Sequence, residues 1–245
     1  MYIFVAVIEK ERWYEGEILS AVKTRLEAAS GERCLAVPYQ EFDLKAVREL
    51  RPRAVAMSGF GGHFEDRPVE WFLGMDEVLH HADLPMIGFC GSHQFIGFSF
   101  NKNLRRVKLL RDQPMRKLGP EEPLPRIAAD IHEFYFANGF FPIKRVRDDP
   151  LFRGLPTRMM MSCSHYCEVK RLPQDFELLA SSGHCKIEAM RHRTRPIYGT
   201  QFHPEAFAEP FLHGRVLLEN FARIVDRFWK QRGAEKRVRG VMTSG

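Results

Sequence analysis

Residues 84–98 constrain this chain more than any other stretch. An apolar run, Leu84-Pro85-Met86-Ile87, leads into Gly88-Phe89-Cys90-Gly91-Ser92-His93-Gln94. A second apolar run, Phe95-Ile96-Gly97-Phe98, follows. That order predicts a buried strand, a sharp turn with a cysteine at its tip, and a helix. A strand feeding a helix through so short a turn calls for a layered α/β fold. It also puts the cysteine at a helix N-terminus, where the partial positive charge favours thiolate over thiol.

The rest of the first half supports such layers. Residues 1–9 are an apolar strand, and 16–29 have helical spacing with Ile18, Leu19, Val22 and Leu26 on one face. Residues 34–38 form a short strand. Asp43 can cap a helix that carries Leu44, Val47 and Leu50. Residues 53–58 are a strand running into the glycine-rich loop Gly59-Phe60-Gly61-Gly62. A helix at 69–81 and a strand at 85–89 follow. Alternation of this kind predicts a parallel sheet covered on both faces. Functional groups in such sheets gather at the carboxyl ends of strands, where this reading places both the 59–62 loop and Cys90.

The second half reads differently. Residues 114–125, rich in proline and charge, predict a surface loop. Strands joined by turns are expected at 134–136, 142–146, 158–161, 177–180, 186–191 and 196–201, and an amphipathic helix at 211–229. Without a repeat or a clear linker, residues 1–230 are expected to form a single domain. The basic tail 231–245 is expected to be disordered.

Composition narrows the function. In 245 residues, 44% hydrophobic, no apolar run is long enough to span a membrane. The apolar start is too short for a signal peptide and lacks a basic leader, so a cytoplasmic location is expected. Cys34, Cys90, Cys163, Cys167 and Cys185 are scattered and expected to be thiols. Cys163 and Cys167, with His165 between them and Cys185 beyond, have a spacing that admits zinc. A buried strand carrying thiols is the preferred reading, with no metal and no cofactor. The formal charge of +6 is concentrated in 102–117 and 230–239. No nucleic-acid-binding motif accompanies it, so a solvated face and tail are expected, with neither nucleic acid nor membrane as partner.

Far downstream stands Tyr198-Gly199-Thr200-Gln201-Phe202-His203-Pro204-Glu205. On a strand, His203 and Glu205 would share a face. A cysteine, a histidine and a carboxylate suit nucleophilic attack on a carbonyl. The histidine handles the thiol proton and the glutamate orients the imidazole. The oxyanion would need two donors. The Gly91 amide is one candidate, and an amide of the 59–61 loop, from Gly59 or Phe60, is the other. His63, beside that loop, could contact substrate. His93 reads as structural, and His80-His81 as the end of a helix.

In these motifs the chain resembles the class I, triad-type glutamine amidotransferases, above all the glutaminase domain of GMP synthase and its free-standing relatives. Gly88, Cys90, His93 and Gln94 match the family's G-x-C-x-G-H-Q elbow. Ser58-Gly59 begins its oxyanion loop and Ser164-His165 its Ser-His-Gly-Asp segment. Gln201-Phe202-His203-Pro204-Glu205 matches its last motif in full, and Asp149 to Pro156 resembles the stretch preceding the third. The resemblance implies a flavodoxin-like three-layer α/β/α sandwich with a mostly parallel central sheet. It implies hydrolysis of glutamine to glutamate and ammonia through a thioester on Cys90, with His203 as acid/base and Glu205 as its partner. Gln94 and the backbone around Ser164, His165 and Tyr166 would hold the glutamine. With no P-loop in the chain, ammonia would be delivered to a separate synthetase subunit.

Departures from the pattern keep the substrate open. Ser92 replaces the elbow's second glycine, and would be strained if that position needs positive φ. Phe60 replaces the second glycine of the oxyanion loop, and Tyr166-Cys167 replaces Gly-Asp. A stand-alone hydrolase of γ-glutamyl peptides or amides would use the same triad. A binding or regulatory protein whose altered pocket no longer turns over is a further alternative.

Overall fold

A computed structural model describes residues 1–8, 17–125, 131 and 133–242. The parallel part of the sheet is built from β1 (Tyr2–Ala6), β2 (Cys34–Pro38), β3 (Ala54–Met57), β4 (Met86–Phe89) and β9 (Ile197–Thr200). Between β4 and β9 in sequence come β5 (Ala137–Arg145), β6 (Arg158–His165), β7 (Phe176–Ser181) and β8 (Ala189–His192). All lie in one sheet, in the order β2-β1-β3-β4-β9-β8-β7-β5-β6. Pairs from β2 to β9 are parallel and pairs from β9 to β6 are antiparallel. The alternating first half therefore produces the parallel part, and the run of short strands produces the antiparallel part.

Helices cover both faces. On β1, Tyr2, Phe4 and Ala6 point to one side, where α1 (Glu17–Ser30) and α5 (His213–Met242) supply Leu19, Val22, Leu26, Leu217, Phe221 and Val225. Ile3 and Val5 point to the other side, towards α2 (Leu44–Leu50), α3 (Leu73–His81) and α4 (Gly91–Asn101). A strand buried on both faces must be apolar at every position, and β1 reads YIFVA for that reason.

Several local expectations are met in detail. Strand β2 has the expected bounds, and the Asp43 side chain caps α2 by accepting from the Ala46 amide at 2.7 Å. Others are not. Residues 134–136 form no strand: Phe134 makes only an isolated bridge to Lys117, and Tyr135 packs its ring under Arg116. The last helix is longer than expected, because α5 runs past 229 to Met242. The Trp229 indole N–H donates to the Arg53 carbonyl at 2.8 Å, anchoring the helix beside β3.

Candidate active site

Cys90 sits between β4 and α4 with φ 45° and ψ −105°. This conformation is strained for any L-residue, at about 1–3 kcal/mol. It is held on both sides: the Cys90 amide donates to Thr200 O of β9 at 2.7 Å, and its carbonyl accepts from the Gln94 amide at 3.0 Å. The strain therefore falls on the cysteine. Ser92 lies within regular α4, so the positive φ considered for it is not there. Its hydroxyl donates to the Ser58 carbonyl at 2.5 Å, and Ser58 Oγ accepts from the Val7 amide at 2.9 Å. The serine that departs from the family pattern thus ties the elbow to the loop after β3 and to the end of β1.

His203 follows β9, the strand next to β4. Its Nδ1 lies 2.8 Å from Glu205 Oε1. A Cβ placed on Gly59 would fall 2.8 Å from His203 Cε1 and 3.1 Å from Cys90 Cβ, so both catalytic candidates border the same point of the 59–62 loop. Burial works against a charge on His203. The Glu205 carboxylate and Cys90 outweigh it and hold the imidazole pKa well above 6.5. Gln201 was missed in the sequence although it lies within a matched motif. Its amide approaches Cys90 Sγ at 3.6 Å, and its Oε1 accepts from Gln94 Nε2 at 3.2 Å.

Phe60 roofs the elbow. Its ring packs so closely over Gly91 that a Cβ there would fall 2.4 Å from the ring. Arg67 holds the loop in place, donating to the carbonyls of His63 and Gly61 at 2.8 and 3.0 Å and stacking on Phe60. The Gly91 amide belongs to the first turn of α4, where amides have no partner within the helix and remain available to an anion.

Two cavities meet at Cys90. One, of about 210 Å³, is lined by Phe60, Gly91, Gln94, Asp112, Ser164 and Tyr166. The other, of about 830 Å³, borders Gly59, Arg67, His203 and Glu205. Gln94 lines the first, but its amide is engaged with the Cys167 carbonyl at 3.1 Å as well as with Gln201. The Ser164 carbonyl lies 3.9 Å from Cys90 Sγ. His165 contributes backbone to this wall while its imidazole is buried, with Nδ1 3.0 Å from the Cys167 carbonyl. Tyr166 donates its hydroxyl to Asp112, and His63 Nδ1 lies 2.7 Å from both the Tyr166 hydroxyl and Asp112 Oδ2. His63 thus braces two residues of the pocket wall from behind, and Asp112 is a wall residue that no sequence motif marked. His93 is fully buried, with Nε2 3.0 Å from the Ile187 carbonyl; burial pulls its pKa down to about 4, which suits a structural role. Cys167 and Cys185 do not gather with Cys163 and His165; among the described residues the third group beside that pair is His184.

A strained cysteine elbow, an imidazole–carboxylate pair just beyond the adjacent strand and a glycine loop facing both are an arrangement able to carry nucleophilic attack on a carbonyl. Residues 18–225 match the model of the class I glutamine amidotransferase family, and the chain belongs to that family. Within it the chain is similar to one of the subunits of glutamine-hydrolysing GMP synthase. The protein from Pyrococcus furiosus is 31% identical over 74% of this chain and 80% of its own length. The one from Archaeoglobus fulgidus is 36% identical over 60% of this chain and 64% of its own, and the one from Methanocaldococcus jannaschii is 30% identical with the same coverage of each. The chain thus spans about 64% of the length of these last two relatives. The structure of a GMP synthase subunit protein from Thermoplasma acidophilum superposes with a TM-score of 0.70 at 22% identity, covering 95% of this chain and 98% of that one. A glutamine amidotransferase from Thermotoga maritima gives 0.61 at 12% identity, covering 92% and 98%. These likenesses show the shared fold. No helix among the described residues is long and apolar enough to cross a membrane.

Proposed function

We propose that this chain is a glutaminase that supplies ammonia to a separate synthetase subunit. Cys90 Sγ attacks the side-chain amide carbon of glutamine, and His203 takes the thiol proton. The tetrahedral oxyanion is held by the Gly91 amide and an amide of the Gly59–Phe60 loop, each worth on the order of 100-fold in rate. His203 returns the proton to the leaving nitrogen, ammonia departs and a γ-glutamyl thioester remains on Cys90. His203 then takes a proton from water, whose oxygen attacks the thioester. Collapse of that second intermediate breaks the C–S bond, releases glutamate and restores the thiol. Glu205 keeps the imidazole oriented and stabilises its cationic form.

The observation that carries this reading is the meeting of Cys90 and His203 against Gly59, with Glu205 2.8 Å behind the imidazole. Release by Cys90→Ala is expected to fall at least about 1,000-fold while the fold is kept. His203→Ala should lose more activity than Glu205→Gln, because the acid/base matters more than its orienter. Ammonia release from glutamine by the purified variants measures both. Full turnover by Cys90→Ala would remove the assignment.

The larger cavity beside His203 favours a second reading, in which the leaving group is bigger than ammonia: a γ-glutamyl peptide or amide. Glutamate release from γ-glutamyl peptides that outpaces ammonia release from glutamine would select it. Failure of Cys90 to be labelled by 6-diazo-5-oxonorleucine in the folded protein would instead favour a binding protein.

A further inference from the structure

Behind the wall of the smaller cavity lies a group of side chains that the glutaminase chemistry does not use. On β6, Cys163 and His165 point to the buried side, away from the cavity that Ser164 faces. His184, from the turn after β7, joins them: one ligand atom from each of the three lies within 4.8 Å of the others. Glu188, wholly buried, places Oε1 3.3 Å from His184 Nε2. The polar atoms at the centre lack hydrogen bonds: His165 Nε2, His184 Nε2 and both Glu188 carboxylate oxygens. A buried carboxylate with neither oxygen hydrogen-bonded is costly, and native interiors keep one only where something pairs with it.

We propose that Cys163, His165, His184 and Glu188 bind one divalent cation of the zinc class, as a closed structural site. The donor set is one sulfur, two imidazole nitrogens and one carboxylate oxygen, the mixture that tetrahedral zinc takes. A bound ion would set the Cys163, His165 and His184 ligand atoms ~3.3–3.8 Å apart, so closing these three asks for side-chain movements of about 1 Å, and Glu188 would join through its contact with His184. His165 is already prepared: Nδ1–H donates to the Cys167 carbonyl, which leaves Nε2 as the lone-pair nitrogen. Four protein ligands leave no open position, so the ion would be structural. It would fix the residues on either side of Ser164, whose carbonyl faces Cys90, and so hold one wall of the active site. The site stands independently of whether glutamine is the substrate.

The test uses the full chain, purified without a metal-affinity step, with metal content measured per folded protein. One equivalent of zinc is expected. Exchange with cobalt(II) should give tetrahedral d–d absorption and a thiolate-to-cobalt charge-transfer band in the near ultraviolet. Cys163→Ser should abolish that band and His184→Ala should lower the metal content, whereas Cys167→Ser should change neither. Circular dichroism separates loss of metal from loss of fold. Folded wild-type protein that neither carries zinc nor takes up cobalt with a thiolate band would overturn the proposal. So would a band that survives Cys163→Ser.

Discussion

At the scale of single residues, His203 is the most informative group. Burial alone would make it a weaker base than free imidazole, but Glu205 and Cys90 act the other way and prevail. A histidine whose pKa is raised on folding contributes stability that is fully present below its ordinary value near 6.5 and is lost as pH rises through the folded value. Glu205→Gln removes the largest of the raising influences. The stability gap between wild type and Glu205→Gln is therefore expected to be widest just below pH 6.5 and to narrow as pH climbs into the alkaline range. Urea titrations at stepped pH between those limits measure it. A gap that widens with pH would contradict the pairing. His203 and Glu205 were legible in the sequence because they lie two residues apart in a recognisable motif. Gln201 and Asp112 were not, because their contacts join segments 111 and 54 positions apart.

At the scale of elements, the elbow depends on how α4 docks under the loop after β3. Phe60 fills the space over Gly91 that the family pattern leaves to a glycine opposite. Gly91→Ala adds a methyl group 2.4 Å from that ring, which is overpacking worth about 1–3 kcal/mol and should shift α4 away from the loop. Phe60→Ala makes room, so the double variant should recover most of the loss, less the buried area of the ring. Chemical denaturation of both single variants and the double variant yields the coupling; simple additivity would mean that the ring does not bear on the elbow. The elements themselves were legible where local signals coincide, as with the Asp43 cap on α2 and the apolar run of β4. At 134–136 the aromatic run promised a strand. There Tyr135 instead packs its ring against Arg116 and His184, contacts that no local pattern encodes. The ligand group around Cys163 was half legible: Cys163 and His165 share a face of β6, but His184 and Glu188 reach them only through the turn after β7.

At the scale of the whole molecule, the site lies at the junction of the two kinds of sheet. Cys90 and the segment leading to His203 leave the carboxyl ends of neighbouring parallel strands, the usual place for chemistry in such sheets. The remaining wall comes from β6, at the far edge of the sheet order. That edge returns to the centre: the His203 amide donates to the Ser162 carbonyl at 2.8 Å, and Ser164 faces Cys90. The antiparallel half thus rolls over to close the pocket, and strain within it should be felt at the cysteine. Gly139 of β5 tests this, because it pairs with Cys163 and holds φ at +123°, a conformation that suits glycine and few other residues. Nothing lies within 4 Å of a Cβ at that position, so Gly139→Ala introduces backbone strain without a clash, at about 1–3 kcal/mol. The β5–β6 pair should relax first, moving Ser164 relative to Cys90. The variant is expected to lose amide-exchange protection along β6 while β1, β3 and β4 keep theirs, and to release ammonia from glutamine at a lower kcat/KM. Lost protection with unchanged kcat/KM would mean that the far edge only covers the site and does not shape it.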